Sequence, residues 1–128
     1  MANFFDLIGR ILISSVFLFS SYIKIFSYEV TVSWMEGFGI PGFLLAPAII
    51  LEIILPVFII MGYRTRVTAT FLAIYSIVTA LIFHLDFSDQ TQTLQLLKNF
   101  GLAGGFLFIA MNGPKEWAVD TKKKYVRL

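Results

Sequence analysis

The chain contains no cysteine, a single histidine and few charged residues. Without cysteine there is no disulfide, thiol relay, thiolate metal site or iron–sulfur cluster. One histidine excludes a haem held by two histidines of the same chain. No grouping of side chains with metal-ligand spacing is visible, and no dinucleotide fingerprint. Only 14% of the residues carry charge, against about a quarter in a water-soluble domain. Hydrophobic residues make up 58% of the chain, and the mean hydropathy is +0.82. At 128 residues the chain is long enough for one domain, or for a few helices that cross a bilayer at about 20 residues each.

Four apolar blocks stand out, at about residues 7–27, 43–61, 67–85 and 94–112. Each is long enough to cross a ~30 Å hydrocarbon layer as a helix. Helices satisfy their own backbone where there is no water to do so. The expected fold is therefore all-α, an integral membrane four-helix bundle in a single transmembrane domain, with residues 113–128 as a basic tail. Gly37, Gly39, Pro41 and Gly42 punctuate the chain before the second block. Gly62 ends that block, and Gly113-Pro114 ends the fourth. The first block does not read as a cleaved signal peptide, because Asp6 precedes it and no small-x-small cleavage site follows. Residues 28–38 are too short to span. Trp34, Met35 and Phe38 could share a face there, which suits a short turn lying along the membrane surface.

Charge asymmetry sets the expected orientation. Arg64, Arg66, Lys115, Lys122, Lys123, Lys124 and Arg127 fall on one side, and Glu29, Glu36, Asp86 and Asp89 on the other. The positive-inside rule then places both termini in the cytoplasm. Tyr28 and Trp34 belong to the outer aromatic belt in this reading, and Tyr63 and Trp117 to the inner one.

Five ionisable residues fall inside the spans: Arg10, Lys24, Glu52, His84 and Lys98. A charge at the membrane centre costs about 2.5–3.5 kcal/mol on insertion scales, so each needs a reason. Arg10, Ser14, Phe17, Ser21 and Lys24 make a largely polar stripe on the first helix, expected to face the bundle interior. Asp6 is four residues before Arg10, which reads as a solvated interfacial anchor. Lys24 and Lys98 suit either snorkelling anchors or site residues. Glu52 is too deep to snorkel and requires a partner from another helix. His84, Lys98 and Lys24 are the candidates in that order, with Arg10 as the rival from the inner side. Pro56 leaves the Glu52 carbonyl without its helical donor, so a kink is expected there. Gly101 and Gly105 form a GxxxG pair, expected at a helix–helix contact.

Taken in order, several short patterns make up a larger one. They are Ile8-Gly9-Arg10, Ser20-Ser21-Tyr22-Ile23-Lys24, Gly39-Ile40-Pro41, Leu51-Glu52-Ile53, Gly62-Tyr63-Arg64-Thr65-Arg66, Phe83-His84, Leu97-Lys98-Asn99, Gly104-Gly105, Asn112-Gly113-Pro114 and Val119-Asp120. This ordered set resembles the DoxX family of small four-helix membrane proteins along nearly the whole chain. A glycine common before the first-helix lysine is serine here, at Ser20 or Ser21. The resemblance implies a multi-pass protein of the bacterial inner membrane. It implies kinship with subunits of thiosulfate:quinone oxidoreductases and of membrane complexes linked to sulfur or oxidative-stress chemistry. By the same analogy Glu52 and His84 would be the reactive pair. Lys98 and Asn99 would complete the polar site, with Lys24 and Arg10 in support.

Three functional classes fit these residues. A quinone-linked redox subunit would use donors such as His84, Lys98 or Asn99 for the quinone carbonyls and Glu52 for proton exchange. Its electrons would come from a partner subunit or a diffusible cofactor. A binding or transport protein for a small anion would exploit the surplus of cations within the spans. It would need a homo- or hetero-oligomer, four helices being thin for a transporter. A scaffold would use the polar residues as glue between helices. The bilayer is the surrounding medium in each case, and nothing suggests nucleic acid.

Overall fold

The computed structural model describes residues 1–121. Lys122, Lys123, Lys124 and Arg127, four of the seven basic residues behind the orientation, lie outside the described residues. The elements in chain order are α1 (Ala2–Phe26), α2 (Tyr28–Gly37), a 3-10 turn (Gly42–Leu44), α3 (Leu45–Met61), α4 (Thr65–Phe83) and α5 (Gln90–Asn112). Helices α1, α4 and α5, and α3 together with the 3-10 turn before it, are each long and apolar enough to cross a membrane. No strand occurs among the described residues.

Two helices start earlier than the apolar runs indicate, because polar residues extend them. α1 begins at Ala2 and carries Asp6 and Arg10 as an i, i+4 ion pair at 3.0 Å. α5 begins at Gln90, where the Asp89 carboxylate accepts the Thr91 N–H at 2.9 Å as an N-cap. Residues 28–37 form a ten-residue helix, α2, rather than a turn. Its Met35 is buried against Leu45 and Ile49, while Trp34 and Phe38 stay exposed beside it. Met35 therefore forms the buried edge of this side of α2, and Trp34 and Phe38, with ring centroids 5.0 Å apart, its exposed edge. α3 runs as one helix through the buried Pro56.

α1 packs along α3, and α4 along α5, with a smaller contact between α3 and α4. The main core joins all four long helices through Phe17, Ile59, Ala69, Leu72, Ala73, Ala103 and Phe106. Ser14 and Ser21 are fully buried, so the α1 stripe faces the bundle. Gly105 packs against α1, since a Cβ there would sit 2.7 Å from Ile13 Cδ1. Gly101 does not match its expectation. Among the described residues, a Cβ there would meet nothing within 4 Å.

The start of α1, the α3–α4 turn and residues 113–121 gather at one end of the bundle, called here the terminal end. α3 stops there in a Schellman motif: Gly62 (φ 73°) donates to Ile59 O at 3.1 Å, and Tyr63 to Phe58 O at 2.9 Å. Asp120 then binds back across the chain. Its carboxylate accepts the backbone N–H groups of Arg64 and Thr65, each at 2.8 Å, and so caps α4. Arg66 serves the opposite polarity, donating to the α5 C-terminal carbonyls of Met111 (2.7 Å) and Asn112 (3.3 Å). α2, His84 and the 86–89 turn form the far end.

Candidate intramembrane site

Glu52 is 2% exposed, at mid-length in α3, and both of its oxygens are held by other helices. Lys24 Nζ of α1 donates to Oε1 at 2.9 Å and to Oε2 at 2.7 Å. Tyr75 of α4 donates its hydroxyl to Oε2 at 2.8 Å. Three helices thus meet on one carboxylate. A charge pair closed at this depth answers the cost of an isolated ion in hydrocarbon.

The helix geometry explains why Lys24 is the partner. α1 runs toward the far end and α3 away from it, and helical side chains lean toward their own N-terminus. Lys24 therefore leans down and Glu52 leans up, and the two close an axial gap that their backbone positions alone make look too wide. The rim of the cluster is aromatic. The Tyr75 ring lies 6.1 Å from Phe17 and 6.5 Å from Phe71. Phe17 in turn lies 5.8 Å from Phe106. Lys24 keeps 28% of its side chain exposed, so the ion pair has one open side.

The other expected site residues are placed elsewhere. His84 sits just beyond α4, its Nδ1 2.6 Å from Gln92 Oε1 at the start of α5. It makes no contact with Glu52, because the last two turns of α4 carry it to the far end. Lys98 is exposed, and neither it nor the half-buried Asn99 has a hydrogen-bond partner among the described residues. Arg10 is not a solvated anchor. It is 1% exposed and donates to Ile59 O (3.1 Å), Ile60 O (2.6 Å) and Trp117 O, besides Asp6. It binds the end of α3 and residues 115–117 to α1, far from Glu52. Ser21 donates to Phe17 O at 2.9 Å, while the buried Ser14 hydroxyl has no partner among the described residues.

Sequence reasoning missed Tyr75 and Gln92. A tyrosine inside an apolar run reads as lipid-facing filling. The available signal was its position near the middle of its span, well away from either interface, where a phenol needs an acceptor. Gln92 precedes the apolar run, and only the N-cap at Asp89 brings it into the helix.

Comparison with known proteins agrees with this architecture. The family model for DoxX matches residues 5–85. The chain is 38% identical over 114 residues to the inner membrane protein YqjF of Escherichia coli, covering 89% of this chain and 88% of that one. It is 30% identical over 124 residues to the inner membrane protein YphA of the same organism, covering 91% and 88%. No solved structure matches significantly. With four helices able to span a bilayer and relatives of nearly its whole length in the inner membrane, the chain is a multi-pass inner-membrane protein and belongs to the DoxX family.

Proposed function

We propose that this protein is the membrane subunit of a quinone-linked oxidoreductase system and that the Lys24–Glu52–Tyr75 cluster is its site for the quinone headgroup. One observation carries the reading. A buried carboxylate at mid-membrane is bound to a lysine that keeps an open side. A charge pair that meets a ligand needs such a face. The cluster offers a quinone what its chemistry requires. Quinone oxygens accept hydrogen bonds, and the Lys24 ammonium has three donors, of which Glu52 takes two. Glu52 can receive or return a proton beside that oxygen. Electrons come from a partner subunit or a diffusible carrier.

The test is binding by the full-length protein in lipid nanodiscs, with a short-chain ubiquinone analogue titrated against the native chain, Glu52→Gln and Lys24→Met. The reading expects saturable binding that weakens at least tenfold in both variants while their helix content is unchanged. Equal binding by all three, or none by the native chain, contradicts it.

A second reading, a scaffold for partner proteins, is favoured by a different observation: both Glu52 oxygens already have donors within the chain. On that reading a Lys24→Met/Glu52→Gln double variant still supports full assembly and activity of the partner complex. The quinone reading expects assembly without activity.

A further inference from the structure

We infer that the far half of the seam between α1 and α5 is the lateral entrance to this site. It would admit a molecule with an apolar body and hydrogen-bond-accepting oxygens, whose head is received by Lys24 and Asn99 and whose mouth is marked by Lys98. The inference rests on the quinone reading of the cluster and adds to it the route, the remaining ligand groups and a testable shape.

The two helices run antiparallel, and two side-chain contacts join them in their terminal half. Ile13 lies against Gly105, and Phe17 lies against Phe106 with ring centroids 5.8 Å apart. Seven residues make about two turns and return a helix to the same face. Two turns toward the far end from Ile13 and Gly105 stand Ser20 and Lys98. The same step from Phe17 and Phe106 leads to Lys24 and Asn99. Polar residues thus occur on both sides of the far half of the seam, a turn apart on α1 and adjacent on α5, where the terminal half is filled by apolar side chains.

The seam is closed below and open above. Gly105 has Ile13 against it, but one turn further out Gly101 has nothing within 4 Å of a Cβ position. α1 otherwise packs along α3, and α5 along α4. Lys98 is exposed, although its face of α5 is the one that meets α1 at Gly105. Lys24 is partly exposed on its own helix at that level.

The unused bonding capacity collects in this half of the seam. Ser20, Lys98 and Asn99 have no hydrogen-bond partner among the described residues, and Lys24 has a donor to spare. Lys24 leans down toward Glu52, whereas Lys98 leans up toward the far surface. A ligand sliding in from the lipid would pass Lys98 first, then meet Asn99 and Lys24 together. Glu52 neutralises one of the two ammonium groups, so the entrance keeps a surplus positive charge. That charge favours electron-rich oxygens. The Phe17–Phe106 contact is the floor that stops the ligand.

The chain has no native cysteine, so pairs can be introduced without background. In nanodiscs, an Ile13→Cys/Gly105→Cys protein should form an internal disulfide readily under mild copper oxidation, and Ser20→Cys/Lys98→Cys at least tenfold more slowly. Equal rates would mean a closed seam and would overturn the inference whether or not quinone binds. The second arm uses an azido-quinone as probe with native protein, Asn99→Leu and Glu52→Gln. Labelled peptides should fall within residues 16–24 and 94–102, and Asn99→Leu should reduce labelling at least fivefold. Specific labelling elsewhere, unaffected by Asn99→Leu but lost in Glu52→Gln, would overturn the entrance and leave the quinone site standing. Labelling of the seam by a photoreactive anionic phospholipid, and none by the azido-quinone, would identify the occupant as lipid and overturn the quinone class.

Discussion

Lys24 and Glu52 come from antiparallel helices and meet because each leans toward the other, closing to 2.7 Å with the carboxylate 2% exposed. The pair is asymmetric: the acid is sealed and the base is partly open. The two truncations should therefore differ. Lys24→Met leaves a buried carboxylate with only the Tyr75 hydroxyl, and losing one partner of a buried pair costs about 3–5 kcal/mol. Glu52→Gln leaves an ammonium that can turn outward, and should cost well under half as much. Unfolding in mixed detergent micelles checks this. The Lys24→Met/Glu52→Gln double variant should recover most of the loss, and additive losses would refute the coupling.

Tyr75 makes a single neutral-to-charged hydrogen bond with Glu52. Tyr75→Phe keeps the ring contacts with Phe17 and Phe71 and removes that bond alone. The expected loss is about 1.5–3 kcal/mol in the same assay. It should vanish in a Glu52→Leu background. An unchanged loss there would place the effect in ring packing.

Arg10 fastens the segment after α5 to α1 and α3 through backbone carbonyls. Arg10→Lys keeps the charge but loses the fork that reaches three carbonyls and Asp6 together. Limited trypsin digestion of the micellar protein should cut after Lys115 several-fold faster in Arg10→Lys than in the native chain. Identical digestion rates would show that the clasp does not hold this segment.

Gly101 and Gly105 look alike in the sequence and differ in surroundings. Gly105→Leu must displace Ile13, whereas Gly101→Leu enters open space. Overpacking costs about 1–3 kcal/mol. The melting temperature should therefore fall for Gly105→Leu and stay within a degree or two for Gly101→Leu. Equal falls would mean that both positions are in contact.

The four spans were legible because bilayer thickness turns an apolar run directly into a helix. Their ends were not, since Asp6, Arg10 and Asp89 extend helices by local pairing and capping that hydropathy ignores. That Glu52 needs a partner was legible from depth alone. Which partner was not: the order His84, Lys98, Lys24 omitted the lean of helical side chains, which brings Lys24 to Glu52. Arg10 was misread because its i, i+4 acid suggested a surface pair, while its other partners are carbonyls of Ile59, Ile60 and Trp117. Nothing in a sequence marks a carbonyl 49 or more residues away as an acceptor.

The N-terminus and residues 115–120 lie at one end of the bundle, where the latter bind back to α1 and to the α3–α4 turn. The positive-inside rule predicts that this end faces the cytoplasm. In spheroplasts, single cysteines replacing Ser33 and Gln90 should react with a membrane-impermeant maleimide from outside, and one replacing Thr121 should not. The inverse pattern would reverse the orientation.

Infrared difference spectroscopy tests most directly whether the Lys24–Glu52–Tyr75 cluster is a ligand site. Spectra of the reconstituted protein would be taken with and without a carbonyl-labelled short-chain quinone. The account predicts a shifted quinone carbonyl band together with a change in a carboxyl or carboxylate band. The carboxyl change should be absent in Glu52→Gln, and the quinone shift reduced in Lys24→Met. A quinone spectrum identical to that in protein-free lipid, or the same carboxyl change in native protein and Glu52→Gln, would contradict it.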